Sequence, residues 1–126
     1  MASSTEAQIH LTMDGADTRG VVARIIVDNQ SQLNILNTPL ILALTSAVNS
    51  LREHDRLRVV ILTGAGDRAF IGGADIKEMV RLDVASAREF ISRLHLACAA
   101  LRTLPVPVIA RVSGYCLGAG LEVAAS

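Results

Sequence analysis

The sequence predicts an α/β protein in which strands alternate with helices. Short β-branched or alternating apolar stretches are typical of strands, and apolar residues recur at helical spacing between them. Capping residues and a proline mark the predicted helix starts. The predicted order is β-β-α-β-α-α-β followed by the start of another helix, which is typical of repeated crossover units on a sheet.

The first predicted unit is a β-hairpin. Ile9 to Met13 is apolar at every second position, which is typical of a half-buried strand. Gly15 to Gly20 is predicted as a turn, and the β-branched stretch Val21 to Val27 as the partner strand. Residues 1–8 begin with a polar run and are predicted to be disordered.

Three helices are predicted after the hairpin, each with a capping residue. Thr38 is predicted to cap the first, with Pro39 in its first position, where a missing N–H costs nothing. Asp75 is predicted to cap a short second helix, with Glu78 as the other half of a capping-box-like pair. Asp83 is predicted to cap the third. The predicted apolar face of the third helix consists of Phe90, Leu94, Ala97 and Leu101.

Two further apolar stretches are predicted to be buried strands. Leu57 to Thr63 is apolar enough to be buried on both faces of a parallel sheet, and Val108 to Val112 is predicted to be another buried strand. Gly114 to Gly120 then turns into a helix that has barely begun at Ser126. Because this apolar helical pattern stops without a cap, we expect residues 1–126 to be the N-terminal part of one longer domain.

Composition excludes several classes of function. Twelve basic and twelve acidic side chains give a formal net charge of zero, which argues against binding nucleic acid by bulk charge and against a polybasic membrane anchor. An aromatic content of 2% leaves too few rings for a base-stacking platform. The sequence has no signal-peptide pattern and no apolar run long enough to span a bilayer, so a cytoplasmic protein is predicted.

The cysteines and histidines give no support for a disulfide or a metal site. Cys98 and Cys116 are far apart and form no CxxC pair, so both are predicted to be reduced thiols. The three histidines share no ligand spacing, and no metal is predicted.

Two glycine-rich segments, residues 69–79 and 113–122, are the candidates for chemistry. Each opens a helix, where the first backbone N–H groups lack partners and the helix dipole is positive. Two such ends facing each other would supply convergent donors to an oxygen that gains negative charge. The second segment matches neither a P-loop nor GxGxxG spacing. A purely structural pair of tight turns is the alternative that spacing alone leaves open.

The full strings at these turns resemble the two oxyanion-hole segments of the enoyl-CoA hydratase/isomerase (crotonase) family. The first reads AFIGGADIKEM at 69–79, and the second reads GYCLGAGLE at 114–122. The stretches LNIL at 33–36 and RVVILTG at 58–64 also resemble the family. The resemblance runs from about residue 21 to residue 126. It implies an α/β crotonase-like spiral of ββα units that is incomplete at the C-terminus.

Residue-by-residue matching implies roles for several positions. The backbone N–H groups of Ala74 and Ala119 would hold the thioester oxygen of an acyl-CoA. Alanine at the second position preserves the N–H, provided that it does not need a positive φ. The family commonly has Asn or His before the second segment, where this sequence has Ser113. The residues that the resemblance implies for substrate binding are Leu33, Ile35, Ala74, Asp75, Ile76, Lys77 and Ala119.

Two charged side chains have competing interpretations. The resemblance implies that Glu122 holds and activates the water, together with a second glutamate further along; its alternative role is to complement the helix dipole. Lys77, the only lysine, would attract CoA phosphates, and its alternative as a solvated helix residue is the favoured one.

The resemblance therefore implies an enoyl-CoA hydratase, which adds water across the 2,3-double bond of an enoyl thioester. The alternatives are an isomerase or hydrolase of the same family, or an inert truncated CoA-binding fragment. No cofactor is implied beyond the CoA of the substrate, and the full-length protein is expected to be a homotrimer or a dimer of trimers. Because the second glutamate and the C-terminal helices would lie beyond Ser126, the 126-residue chain alone is predicted to be inactive and poorly soluble.

Overall fold

The fold was established from a computed structural model, which describes residues 6–15 and 18–126. It consists of strands and helices in the order that the sequence predicts, with two short additional strands and a 3-10 turn at Gln30–Gln32. In chain order the other elements are β1 (Gln8–Asp14), β2 (Val21–Asp28), α1 (Thr38–Ser50), β3 (Leu57–Gly64), β4 (Ala69–Ile71), α2 (Ile76–Met79), α3 (Val84–Arg102), β5 (Val108–Arg111), β6 (Tyr115–Cys116) and α4 (Ala119–Ala125).

Two sheets organise these elements. The larger has the strand order β1-β2-β3-β5, in which β1 is antiparallel to β2 and the other neighbours are parallel. The smaller is a parallel pair of β4 and β6. Sequence analysis missed both of these short strands, since three and two residues are too few for a periodic signal.

The core lies where α1 packs on one face of the larger sheet and α3 packs against α1. Burial alternates along β2, where Ala23, Ile25 and Val27 are fully buried, as expected for a strand with one covered face. The predicted apolar face of α3 is confirmed, because Phe90, Leu94, Ala97 and Leu101 are all buried. Leu40, Leu44 and Val48 of α1 join the same cluster.

The predicted burial of β3 and β5 is wrong in part. One face of β3 is buried, but Val59 and Ile61 on the other are only partly covered. In β5 no residue is fully buried, and Ile109 is 53% exposed. The reason is that only one face of the sheet is covered among the described residues, as the alternating burial of β2 and β3 also shows. In addition, β5 is the edge of the four-stranded sheet among these residues. The strand also ends at Arg111, one residue before the predicted end.

The helix starts agree with prediction to within one residue. Asn37, not Thr38, caps α1, because its side chain accepts a hydrogen bond from the backbone N–H of Leu40 at 2.9 Å. Thr38 is the first helical residue and Pro39 the second. Asp83 caps α3 as predicted, in a capping box with Ser86.

The predicted hairpin is confirmed by the antiparallel register of β1 and β2. The disorder predicted for residues 1–8 falls largely outside the described chain, which begins at residue 6, and Gln8 already belongs to β1. The predicted turn at 15–20 includes residues 16–17, which also lie outside it. No helix in the described chain is long and apolar enough to cross a membrane.

The hairpin carries an ion pair that makes stability depend on pH. The Asp28 carboxylate accepts a hydrogen bond from His10 Nε2 at 2.8 Å, and this bond holds the pKa of Asp28 below its ordinary 3.8, against an opposing effect of burial. A lowered folded-state pKa contributes stability above the unfolded value, and this contribution is lost as pH falls.

We therefore expect the free energy of unfolding of the unmutated chain to exceed that of Asp28→Asn at about pH 5, with the gap closing towards about pH 3. Urea unfolding at the two pH values measures this gap. Asp55→Asn, at an exposed position without an ion pair in the described chain, is the control. A gap that widens on acidification would contradict the expectation.

Candidate active site

The small β4–β6 sheet brings the two glycine-rich turns side by side. Ile71 at the end of β4 pairs with Cys116 at the end of β6, and the N–H of Leu117 donates to the carbonyl of Ile71 at 3.3 Å. Ala74 and Ala119 each follow these paired residues by three positions. The two parallel strands therefore deliver both predicted donors to the same edge of the sheet.

The first turn is held by the segment 33–36. The N–H of Gly72 donates to the carbonyl of Leu33 at 2.9 Å. The N–H of Leu36 donates to the carbonyl of Gly73, and the N–H of Asp75 donates to the carbonyl of Leu36, both at 2.8 Å. In this parallel bridge the flanking groups of Ala74 face Leu36, so its own N–H points the other way. Within the described chain, that N–H has no acceptor.

The second turn depends on Gly118, whose φ of 52° and ψ of −118° suit glycine alone. Ala119, which follows it, has no positive φ, so alanine fits at this position without strain. The N–H of Ala119 opens α4 and donates to no acceptor among the described residues. The departure at Ser113 is also accommodated, since its hydroxyl donates to the carbonyl of Asp67 at 3.4 Å.

The two turns and α3 enclose an open cleft of about 430 Å³. The turns approach each other closely, because a Cβ placed on Gly73 would lie 3.7 Å from the carbonyl oxygen of Leu117. Ala74, Ala119 and Glu122 all line this cleft. The rest of the wall is glycine and apolar side chains, the latter being Ile76, Met79, Phe90, Ile91, Leu94 and Leu117.

Glu122 is the one ionisable side chain among the described residues that line this cleft. It is exposed, and its carboxylate accepts no hydrogen bond and forms no ion pair within the described chain. Its backbone N–H donates to the carbonyl of Gly118 at 3.1 Å, which fixes it one turn into α4. The carboxylate is thus free to accept a proton from a molecule in the cleft.

A second groove of about 220 Å³ adjoins the cleft at Gly72 and Ala74. Five of the predicted substrate-binding residues line it, namely Ile35, Ala74, Asp75, Ile76 and Lys77. Lys77 is exposed and has no ion-pair partner in the described part of the chain, so both interpretations of it stay open. The Asp75 carboxylate is occupied, because it accepts from the N–H of Lys77 at 2.9 Å as the cap of α2.

Leu33 lies apart from this groove. It lines a separate cavity of about 50 Å³ together with Asn34 and Ala65. Its link to the site is its carbonyl, which holds Gly72.

Two polar side chains have roles that sequence analysis missed. The Glu78 carboxylate does not complete a capping box; it accepts hydrogen bonds from the backbone N–H of Thr38, at 2.9 Å, and from the Thr38 hydroxyl, which ties α2 to the start of α1. Asn34 is buried, and its side-chain amide bonds three backbone groups. Thr38 lies 40 positions from Glu78, and two of the three Asn34 partners lie 31 and 35 positions away, so no local pattern could have revealed these contacts.

The cysteines are free, as predicted. Burial raises the pKa of the Cys98 thiol, the Ser126 hydroxyl bonded to it lowers that pKa, and the charge of Glu122 raises it further. A thiol in these surroundings is a poor nucleophile. No group of three His, Cys, Asp or Glu residues within the described ranges could hold a metal ion.

The fold and the cleft thus define an α/β protein in which, among the described residues, two backbone amides without acceptors and one carboxylate surround an apolar cavity. The family model of the enoyl-CoA hydratase/isomerase family matches residues 17–126. The chain belongs to the enoyl-CoA hydratase/isomerase family, and the predicted resemblance is confirmed.

Individual relatives agree with this assignment. The chain is 34% identical over 110 residues to the short-chain-enoyl-CoA hydratase of Clostridium acetobutylicum, covering 87% of this chain and 42% of that protein. It is 33% identical over 103 residues to the crotonyl-CoA hydratase of Syntrophomonas wolfei, covering 82% and 40% respectively. The chain spans about two fifths of the length of the curated relatives it matches.

Solved structures give the same fold. An enoyl-CoA hydratase/carnithine racemase from Magnetospirillum magneticum superimposes with a TM-score of 0.85 at 34% identity, over 95% of this chain and 44% of that one. The predicted crotonase fold is therefore confirmed for the part of the domain that this chain spans.

Proposed function

We propose that this chain carries the first half of an enoyl-CoA hydratase site. The observation that carries the proposal is that Ala74, Ala119 and Glu122 line one cleft, in which both amides lack protein acceptors among the described residues. Two donors and one free carboxylate in apolar surroundings suit a reaction that moves charge onto an oxygen and takes a proton from water.

In the proposed reaction, the N–H groups of Ala74 and Ala119 donate to the thioester oxygen of an enoyl-CoA. Glu122 accepts a proton from water as the water oxygen bonds to C3, the electron pair of the 2,3-double bond shifts to a C1–C2 double bond, and the carbonyl π pair moves onto the thioester oxygen. When the carbonyl re-forms, C2 takes up a proton from a second acid and Glu122 releases its proton to solvent, which gives the 3-hydroxyacyl thioester. The two amides act on the charge that develops, so they stabilise the transition state more than the ground state.

The groove along α2 is the proposed path of the CoA moiety. It meets the cleft at Gly72 and Ala74, so a thioester held by the two amides would place its acyl chain among Phe90, Leu94 and the other apolar residues of the cleft. Ile35, Gly72, Ala74 and Ile76 offer backbone and apolar contacts there, and the polar side chains that line the groove are Gln32, Asp75 and Lys77.

The experiment that tests the proposal measures binding and turnover separately. Acetoacetyl-CoA is titrated into the chain, and hydration of crotonyl-CoA is followed in both the 126-residue chain and the complete gene product. We expect saturable binding by both and turnover by the complete gene product. Absence of binding by either would refute the site.

The isolated chain is proposed to bind without turnover. Its cleft is open and holds one carboxyl group among the described residues, whereas acid and base work is commonly divided between two. Hydration of crotonyl-CoA by the 126-residue chain would contradict this. Isomerase or hydrolase activity of the complete gene product, in place of hydration, would transfer the proposal to a sister reaction with the same two amides.

The full protein is further proposed to be a cytoplasmic homotrimer or dimer of trimers. Exposed apolar side chains favour association, and Ile76 in the cleft wall, together with Val84 and Leu121 elsewhere, is more than half exposed. Light scattering of the complete gene product tests the oligomeric state, and cell fractionation tests the location.

A further inference from the structure

We propose that Asn34 is a positioning residue that sets the direction of the Ala74 N–H through its side-chain amide. The inference rests on the proposed function of Ala74 as a donor to the thioester oxygen. Asn34 is 1% exposed and does not line the cleft that holds Ala74 and Ala119. Its effect on the site is therefore exerted through the backbone that it holds.

The Asn34 amide joins three elements of the fold. Its Oδ1 accepts from the N–H of Asn29 at 2.9 Å, just after β2. Its Nδ2 donates to the carbonyl of Ala65 at 3.0 Å, just after β3, and to the carbonyl of Ala69 at 2.8 Å, the first residue of β4. Both amide protons are thus engaged, and no other side chain offers two donors and an acceptor in this shape except glutamine, which is longer.

The hydrogen bond from Asn34 to the Ala69 carbonyl fixes the start of segment 69–75, which contains the proposed donor, the N–H of Ala74. Residues 69–71 form β4, and residues 72–75 are then held by three backbone hydrogen bonds to residues 33–36. Asn34 sits inside that supporting segment and also holds the first residue of β4. Both ends of segment 69–75 are therefore held by residues 33–36. This leaves the peptide bond before Ala74 little freedom to rotate.

The backbone of Asn34 is also unusual. Leu33 and Asn34 have φ values of 54° and 53°, the left-handed region that asparagine tolerates better than most residues. This double left-handed step presents the Leu33 carbonyl and the Leu36 amide to the first turn. Asn34 therefore has two roles: it adopts the left-handed backbone conformation, and its side-chain amide makes the hydrogen bonds. A substitution can separate these roles.

Asn34→Gly is the informative variant, because glycine adopts the left-handed conformation freely and removes only the amide. Asn37→Ala is the matched control. This variant also removes an asparagine side chain that hydrogen-bonds the backbone. The bond it loses is to the N–H of Leu40 in α1 and not to β4.

The readout is polarisation of a bound thioester. A conjugated enoyl-CoA absorbs at longer wavelength when donors polarise its carbonyl, so the shift reports on the two amides and not on overall stability. In the complete gene product we expect Asn34→Gly to lose most of this red shift and to lower kcat about 100-fold, the scale for a displaced catalytic contact, with a smaller change in KM. Asn37→Ala should retain the shift.

The outcomes separate the inference from the function on which it rests. Absence of a red shift in the unmutated protein would refute the donor role of Ala74 itself. A normal shift and kcat in Asn34→Gly would overturn the inference alone. If Asn34→Gly does not fold, the test is made on the unmutated protein. The side-chain amide resonances of Asn34 should change when acetoacetyl-CoA binds. Unchanged resonances would overturn the inference.

Discussion

Replacing Gly120 with alanine is expected to lower kcat about 100-fold in the complete gene product and to destabilise the protein. A Cβ on Gly120 would lie 2.0 Å from the carbonyl oxygen of Ile71 and 2.9 Å from its carbonyl carbon, distances that force backbone to move. Ile71 belongs to β4, and Gly120 follows Ala119 directly. The added methyl therefore separates the two turns at the level of their donors.

Two opposing effects decide the stability of this variant. Alanine favours a helix over glycine by about 0.8–1.0 kcal/mol, so helix propensity alone predicts stabilisation. Overpacking a tight contact costs about 1–3 kcal/mol, and here the obstacle is backbone that cannot rotate away. We expect the steric effect to dominate and the midpoint of thermal unfolding to fall.

The measurements for Gly120→Ala are the rate of crotonyl-CoA hydration and the unfolding midpoint. Ala125→Ser is the control, since it adds one heavy atom to an exposed position of the same helix. An unchanged kcat in Gly120→Ala would show that close packing of α4 on β4 does not set the second donor.

Local patterns predicted most elements because their causes are local. Asp83 and Ser86 form a capping box three residues apart, and the apolar face of α3 repeats at helical spacing. The second turn was predicted from its glycines on the condition that Ala119 needs no positive φ, and the structure meets that condition because the positive φ falls on Gly118. At these positions the residue type and the backbone conformation determine each other.

Contacts between distant segments were not predictable in the same way. Glu78 resembled a capping-box residue, but its partner Thr38 is 40 positions away. The hydrogen bonds of Asn34 to Ala65 and Ala69 span 31 and 35 positions. The apolar composition of β5 indicated burial, whereas its exposure depends on which face of the sheet other elements cover and on its place at the edge of the described strands.

In the candidate site, too, features with local causes were predicted and features that depend on tertiary contacts were not. The amides of Ala74 and Ala119 were found from the strings around them, and Ile35, Asp75, Ile76 and Lys77 do lie together along one groove. What positions the first amide is a tertiary device, the segment 33–36 and the Asn34 side chain. The motif around Ala74 was recognised in the sequence, but the residues that hold Ala74 in place are distant in sequence and are seen only in the fold.

Glu122→Gln is expected to lower kcat for hydration by about 10²–10⁴-fold, the range for removing a general base. Glutamine keeps the size and polarity of the side chain but cannot accept the proton of the attacking water. The two amides proposed to hold the thioester are backbone groups and are untouched by the change, so affinity for acetoacetyl-CoA should remain within a few-fold of the original.

The combination of a large loss in kcat with unchanged ligand affinity is what distinguishes a base from a helix-dipole residue. If Glu122 served only the dipole of α4, removing its charge would cost about 0.3–1 kcal/mol of stability and leave turnover intact. Glu89→Gln is the matched control, because Glu89 is an exposed helical glutamate whose partner is Arg93 at 3.1 Å. Crotonyl-CoA hydration and titration with acetoacetyl-CoA measure both quantities. Since Glu122 has no partner in the described chain, a full kcat in Glu122→Gln would leave its carboxylate without a role in the reaction.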